Sequence, residues 1–118
     1  MAQSAMQMME PAAAIDRRHL ARMTFGDRSL EQEVLQLFDR QSALLIARMR
    51  TGDGPAIGAL AHTLKGSAAG IGASAVARAA EATEQAAAHA PGDLSATIDQ
   101  LASAVDEARV LIAELLRQ

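Results

Sequence analysis

Seven apolar residues toward the C-terminus, Leu94, Ile98, Leu101, Val105, Ala108, Ile112 and Leu115, recur at alternating intervals of four and three. A strand alternates its faces every second residue, so this spacing falls on a single side only if the segment is an α-helix. A stripe that narrow is the seam by which helices pack lengthwise in bundles. The same seam could zip two copies of the chain together. Three further amphipathic stretches precede it, however, so packing within one chain is the economical solution and a monomer is expected.

Composition supports helices over sheets. Phe25 and Phe38 are the only aromatic residues among 118, so the core has to be aliphatic, alanine-rich and closely packed. No run alternates β-branched or aromatic residues with polar ones, and there is no strand signal. The length suits one domain with one core. The expected fold is therefore all-α: an antiparallel up-down four-helix bundle with a short additional N-terminal helix. Residues 1–11 show no clean period and are expected to form a flexible tail, leaving 12–118 as the bundle domain.

The short helix is expected over Ala12–Met23, lying across one end of the bundle with Ile15, Leu20 and Met23 available for burial. Gly26 supplies the bend that follows, and Asp27 or Ser29 can cap the next helix, Ser29 with Gln32 at capping-box spacing. That helix is expected from about Arg28 to Arg50. Its broad apolar face comprises Leu30, Val34, Leu37, Phe38, Leu44, Leu45 and Met49, interrupted by Gln41.

Gly52 is suited to the left-handed conformation beyond a helix end, and Pro55 to the first turn of a third helix reaching about Gly70. Gly70, Gly72 and Ser74 mark a tight joint before a fourth helix, roughly Ala73–His89. There Val76, Ala79, Ala80, Thr83 and Ala87 offer small knobs that let its backbone approach the third helix. Pro91-Gly92-Asp93 closes the last hairpin, with Asp93 expected to cap the final helix.

Several function classes are disfavoured. The chain has no cysteine, which removes disulfides and thiolate metal sites. A formal charge of −3 with no basic face or aromatic platform speaks against nucleic-acid binding. No apolar run approaches the roughly 20 residues that cross a bilayer, and the N-terminal segment lacks a cationic start and a sustained apolar stretch. No membrane association and a cytoplasmic location are the resulting expectations.

One residue of the third helix does not fit the scaffold. Ile57, Leu60, Ala61, Leu64, Ala68 and Ile71 form its buried stripe, and His62 lies far round from them. Its neighbours at three and four residues are Gly58, Ala59, Lys65 and Gly66, with Ala69 two turns on. The imidazole is thus expected in water, beside one cation, on a surface nearly stripped of side chains. A glycine inside a helix costs about 1 kcal/mol relative to alanine, so stability alone does not select Gly58 and Gly66. A bare patch lets another molecule's backbone approach the ring.

The run His62-Thr63-Leu64-Lys65-Gly66-Ser67-Ala68, followed by Gly72 and Ala73, resembles the signature of histidine-containing phosphotransfer (HPt) domains. The similarity extends from about Ile15 to the C-terminal helix. It implies a four-helix bundle carrying a phosphoryl group on His62 between aspartates of receiver domains in a two-component phosphorelay. The implied partners are response-regulator receiver domains and a sensor histidine kinase of the hybrid kind, with Gly58, Ala59, Gly66 and Ala69 forming the docking patch.

The resemblance also implies that a Glu or Gln on the following helix accepts a hydrogen bond from imidazole Nδ1. The matching position is Glu84, with Glu81 and Gln85 as alternatives if the joint shifts the register. Lys65 would meet the phosphoryl oxygens as charge develops. No cofactor is expected on this chain. Mg²⁺ would come with the receiver's acidic pocket, because nothing here gathers the carboxylates a hard cation needs.

His19 and His89 look structural, and Thr63 and Ser67 suit helix back-bonding. No nucleotide-binding glycine motif accompanies the histidine, so a phosphocarrier without autokinase activity is expected rather than an enzyme. The alternative is a non-catalytic helical adaptor or dimerisation module that binds receivers. A detached phosphoacceptor domain of a larger kinase would carry the same motif.

Overall fold

The computed structural model describes residues 14–118. The expected tail, 1–11, lies outside the described residues. Within them the chain forms five α-helices and no strand: α1 (Arg17–Met23), α2 (Arg28–Met49), α3 (Gly54–Gly70), α4 (Ser74–His89) and α5 (Leu94–Leu116), with a 3₁₀ turn at Pro91–Asp93. The four long helices follow one another around the bundle, each against its neighbour in sequence, and α5 returns to α2. Short connections make these neighbours antiparallel, as the periodicities predicted.

Among the described residues the first helix starts at Arg17 and residues 14–16 are not helical; the expected start at Ala12 lies outside the described residues. Asp16 takes an extended conformation and its carboxylate accepts from the N–H groups of Arg18 and His19, at 3.0 and 3.1 Å, which fixes the helix start. Ile15 and Leu20 are buried, whereas Met23 is exposed. Helix α1 ends in a Schellman motif: Gly26 N–H reaches Ala21 O and Phe25 N–H reaches Arg22 O. Phe25 occupies the left-handed position usually held by glycine, with φ 55°, and its ring is exposed. The two possible caps of α2 resolve to Asp27, which accepts from Leu30 N–H at 3.1 Å, so Ser29 and Gln32 make no capping box.

The face buried by α2 also differs from the expectation. Leu35, Phe38, Ser42, Leu45 and Met49 point inward, Leu30 and Val34 are half-buried, and Leu37 and Leu44 are exposed. Ser42 fits the apolar interior because its hydroxyl donates to Asp39 O at 3.2 Å. Gln41 sits at the edge of the core, half-buried.

Gly52 does not adopt the left-handed conformation; Gly26 and Gly72 are the glycines with positive φ. The end of α2 unwinds through successive right-handed turns instead, with Thr51 N–H to Arg48 O and Gly52 N–H to Met49 O. Asp53 then caps α3 through Ala56 N–H, and Pro55 takes the first turn as expected.

A second Schellman motif closes α3. Gly72 stands at φ 78°, Ala73 N–H donates to Ala68 O at 2.8 Å, and Gly72 N–H donates to Ala69 O. The segment before α1 is fastened to this turn: Asp16 N–H donates to Gly72 O at 2.9 Å, and His19 Nε2–H donates to Gly70 O at 3.1 Å. A Cβ on Gly72 would lie 3.0 Å from Asp16 O, so the close approach requires glycine.

Helix α4 buries Val76, Ala80, Thr83 and Ala86, with Ala79 and Ala87 half-buried beside them. Asp93 does not cap α5 with its side chain, because the 3₁₀ turn runs directly into the helix. On α5 the seam is buried from Ile98 to Leu115, and Leu94 is half-buried.

Candidate functional site

The buried stripe of α3 comprises Ile57, Ala61, Leu64, Ala68 and, at its end, Ile71. One position past Ala61 the helix turns about 100°, which places His62 on the flank beside α4. Its side chain is 67% exposed, so the ring is solvated while its base rests on the helix pair. Imidazole Nδ1 lies 2.9 Å from Glu84 Oε2. An ionised carboxylate accepts only, so this contact places the proton on Nδ1 and the lone pair on Nε2.

The other oxygen of Glu84 is engaged as well. Lys65 donates from Nζ to Glu84 Oε1 at 2.8 Å and to Glu81 Oε2 at 2.9 Å. The hydrogen bond from the Lys65 ammonium holds Glu84 below the ordinary carboxylate range, against the opposing effect of partial desolvation, with the His62 bond adding to it. Lys65 likewise lowers Glu81, and Glu84 first and Glu81 second raise Lys65. The directions agree across all three partners: a cation shared by two ionised carboxylates, one of which also holds the imidazole.

The neighbouring surface is nearly bare. Ala59, Gly66 and Ala69 are exposed, and a Cβ on Gly66 would meet nothing within 4 Å. Gly58 differs, since its Cβ would contact the Ala87 Cβ at 3.5 Å, so it serves the α3–α4 packing as well as the surface. Beside the ring runs an open groove of about 640 Å³, lined by small residues such as Gly58, Ala59, Ala87 and Ala88. Thr63 donates back to Ala59 O.

His62, Lys65 and Glu84 therefore meet at one place, with Gly58 and Ala59 one turn before the ring and Gly66 one turn after it, while Ala69 lies two turns on, beside a hollow lined by Asp16 and His19. The alternatives to Glu84 take other roles: Glu81 binds Lys65, and Gln85 reaches Glu81 at 3.5 Å. His19 is turned toward the α3–α4 joint, and His89 is exposed at the end of α4. Among the described residues no three potential metal-ligating side chains converge. The role of Glu81 as a second anchor for Lys65 was missed by the sequence reading. Its place one turn before Glu84 on the same helix face was the available signal.

The model of the Hpt domain matches residues 28–117, most of the chain. The chain belongs to the Hpt domain family. It is accordingly a histidine phosphotransfer protein of a phosphorelay, a phosphocarrier without kinase activity, and its family works with phosphorelay partners such as receiver domains. The fold agrees. The crystal structure of histidine-containing phosphotransfer protein B (HptB) from Pseudomonas aeruginosa PAO1 is similar with a TM-score of 0.80. The alignment covers 92% of this chain and 99% of that one at 24% identity, a likeness of fold. No curated protein is significantly similar in sequence. No described helix of this Hpt protein is long and apolar enough to cross a membrane.

Proposed function

We propose that His62 is the residue that carries the phosphoryl group, with Glu84 orienting the ring and Lys65 compensating charge. The observation that carries this reading is the 2.9 Å contact between Nδ1 and the Glu84 carboxylate on a ring that is otherwise exposed. With Nδ1 protonated, Nε2 presents its lone pair to solvent and to an approaching partner. It attacks the phosphorus of a receiver's aspartyl phosphate in line. The N–P bond forms, the P–O bond to the aspartate breaks, and the aspartate departs as a carboxylate. The ring keeps its Nδ1 proton and becomes cationic, and the Glu84 carboxylate balances that charge.

Gly58, Ala59, Gly66 and Ala69 form the docking patch, because their missing side chains let a receiver's backbone come within reach of Nε2. The partners are response-regulator receiver domains and a hybrid sensor histidine kinase. Mg²⁺ is supplied by the receiver's acidic pocket, and this chain holds none of it. The bundle spans 12–118 behind a separate tail at 1–11, and acts as a cytoplasmic monomer.

The test is incubation with a phosphorylated receiver domain. The chain should acquire an acid-labile, alkali-stable label, and His62→Gln should abolish it. Label retained by His62→Gln refutes the assignment. Receiver binding without any transfer would instead favour a non-catalytic adaptor.

A further inference from the structure

Lys65 does not stand free beside the imidazole. Its ammonium is divided between Glu84 Oε1 and Glu81 Oε2 at nearly equal distances. Glu81 is half exposed and does not touch the ring. Whatever it does to the histidine it does through Lys65. One ammonium between two carboxylates leaves the cluster with a net negative charge, and a neutral residue at 81 would leave it with none. The rest of the groove beside the ring is glycine, alanine, proline and threonine. Lys65 from α3 and Glu81 and Glu84 from α4 are therefore the charged side chains clustered at the ring among the described residues.

We propose that Glu81 is a positioning residue that shortens the stay of the phosphoryl group on the histidine, by holding half of the Lys65 ammonium away from Glu84 and from the phosphoryl oxygens. The inference rests on the reading of His62 as the acceptor.

Two effects act in the same direction. When the N–P bond breaks, a ring protonated at Nδ1 leaves as neutral imidazole, whereas an unprotonated ring would have to leave as an anion. Protonated phosphoimidazole is therefore the better donor, and an anionic Glu84 keeps that proton in place. An ammonium bound to Glu84 alone would neutralise the carboxylate more fully and loosen its hold on Nδ1–H. The oxygens of the phosphoryl group resting on the histidine are themselves anionic, and Lys65 holds them to the extent that Glu81 leaves it free; their charge falls as the loose, metaphosphate-like transition state is reached, so a firmer hold slows departure. With Glu81 ionised, the group passes more readily to the next aspartate or to water, where the P–N bond breaks, the new P–O bond forms and the Nδ1 proton remains on the ring.

Glu81→Gln tests this, because it keeps the size and an acceptor oxygen for Lys65 and removes only the charge. Wild type, Glu81→Gln, Lys65→Gln and the double variant are labelled by a phosphorylated receiver domain, freed of it, and followed for loss of label between about pH 5 and pH 8. The half-life of the label should lengthen about two- to fivefold in Glu81→Gln, an effect sized for one exposed charge. The pH below which decay accelerates should move down, and return of the label to an unphosphorylated receiver should slow. In the Lys65→Gln background the same change should have much less effect, because the coupling runs through that ammonium. Decay of Glu81→Gln as fast as wild type at every pH overturns the proposal. So does an undiminished effect without Lys65. Label that survives His62→Gln overturns the acceptor assignment itself, a failure distinguishable from the first two.

Discussion

His62 and Glu84 stand 22 residues apart in the chain and 2.9 Å apart between Nδ1 and Oε2. The contact selects one imidazole tautomer, so its removal should slow transfer without abolishing it. In Glu84→Ala the ring samples both tautomers and several orientations. The rate of label uptake from a phosphorylated receiver is expected to fall about tenfold, the scale of one hydrogen bond to a charged group. Glu84→Gln retains an acceptor oxygen and should lose less. Stopped-flow or quench measurement of uptake checks the order wild type, Gln, Ala, and equal rates for all three would refute the orienting role.

The Lys65 clasp also ties stability to pH. Glu81 and Glu84 are lowered on folding, chiefly by Lys65. Their contribution is present above the ordinary glutamate value of about 4.3 and is lost as pH falls through the lowered values. Lys65 is raised. Its contribution is complete below the ordinary lysine value of about 10.4 and is lost as pH rises through the raised one. The melting temperature should therefore be level between these limits with respect to this cluster. All three groups are partly exposed, so the effect should be small and reduced by salt. Lys65→Met should flatten the acid side of the wild-type profile, and an unchanged acid slope would show that other carboxylates set it.

Leu101 is fully buried at the middle of the α5 seam. Leu101→Ala should cost about 2–5 kcal/mol, read from the urea midpoint at unchanged slope. Phosphoryl uptake well below the melting temperature should stay near wild type, because Leu101 lies on a different helix from His62, Lys65 and Glu84.

Gly72 and Gly66 should respond in opposite ways to alanine. At Gly72 the left-handed backbone and the contact with Asp16 O make a methyl group strained, and the cost should be about 1–3 kcal/mol in thermal or urea unfolding. At Gly66 a Cβ meets nothing within 4 Å. Gly66→Ala should stabilise the free protein by up to about 1 kcal/mol through helix propensity. A long side chain there, as in Gly66→Arg, should instead slow transfer from receivers while the fold stays intact. Transfer at the wild-type rate would remove Gly66 from the docking patch.

Legibility differed between helices for identifiable reasons. On α5 each large apolar residue of the seam falls on one heptad register, so periodicity alone gave its buried face. On α2 there are more large apolar residues than buried places. Leu30, Leu37 and Leu44 make a seven-residue repeat of their own, half-buried at Leu30 and exposed at the other two, and it competes with Leu35, Phe38, Leu45 and Met49. Ser42 sits in the true stripe and disguises it, since a serine whose hydroxyl is satisfied by Asp39 O has no apolar signature. The start of α1 was hidden by Ala14, which reads as helix although Asp16 sets the boundary.

At the site, the exposure of His62 followed from the wheel of α3, and Glu84 followed from family resemblance. The double pairing of Lys65 depends on how α3 and α4 are rotated against each other. Neither helix's sequence alone carries that information.

Gly58 faces Ala87 across the α3–α4 gap with room for a single methyl group, since a Cβ there would already be 3.5 Å from its neighbour. This pair works as a caliper. A branched side chain at position 58 would spread the jaws slightly, and because the buried stripe of Ile57, Ala61 and Leu64 is displaced round the helix from it, the strain would fall first on the α3–α4 edge. Glu84 has only two methylene groups with which to follow. In Gly58→Val the melting curve should stay close to wild type while the ¹⁵N spectrum of the imidazole reverts to mixed tautomers. Timing in this relay would then fail in a chain that every folding assay passes as intact.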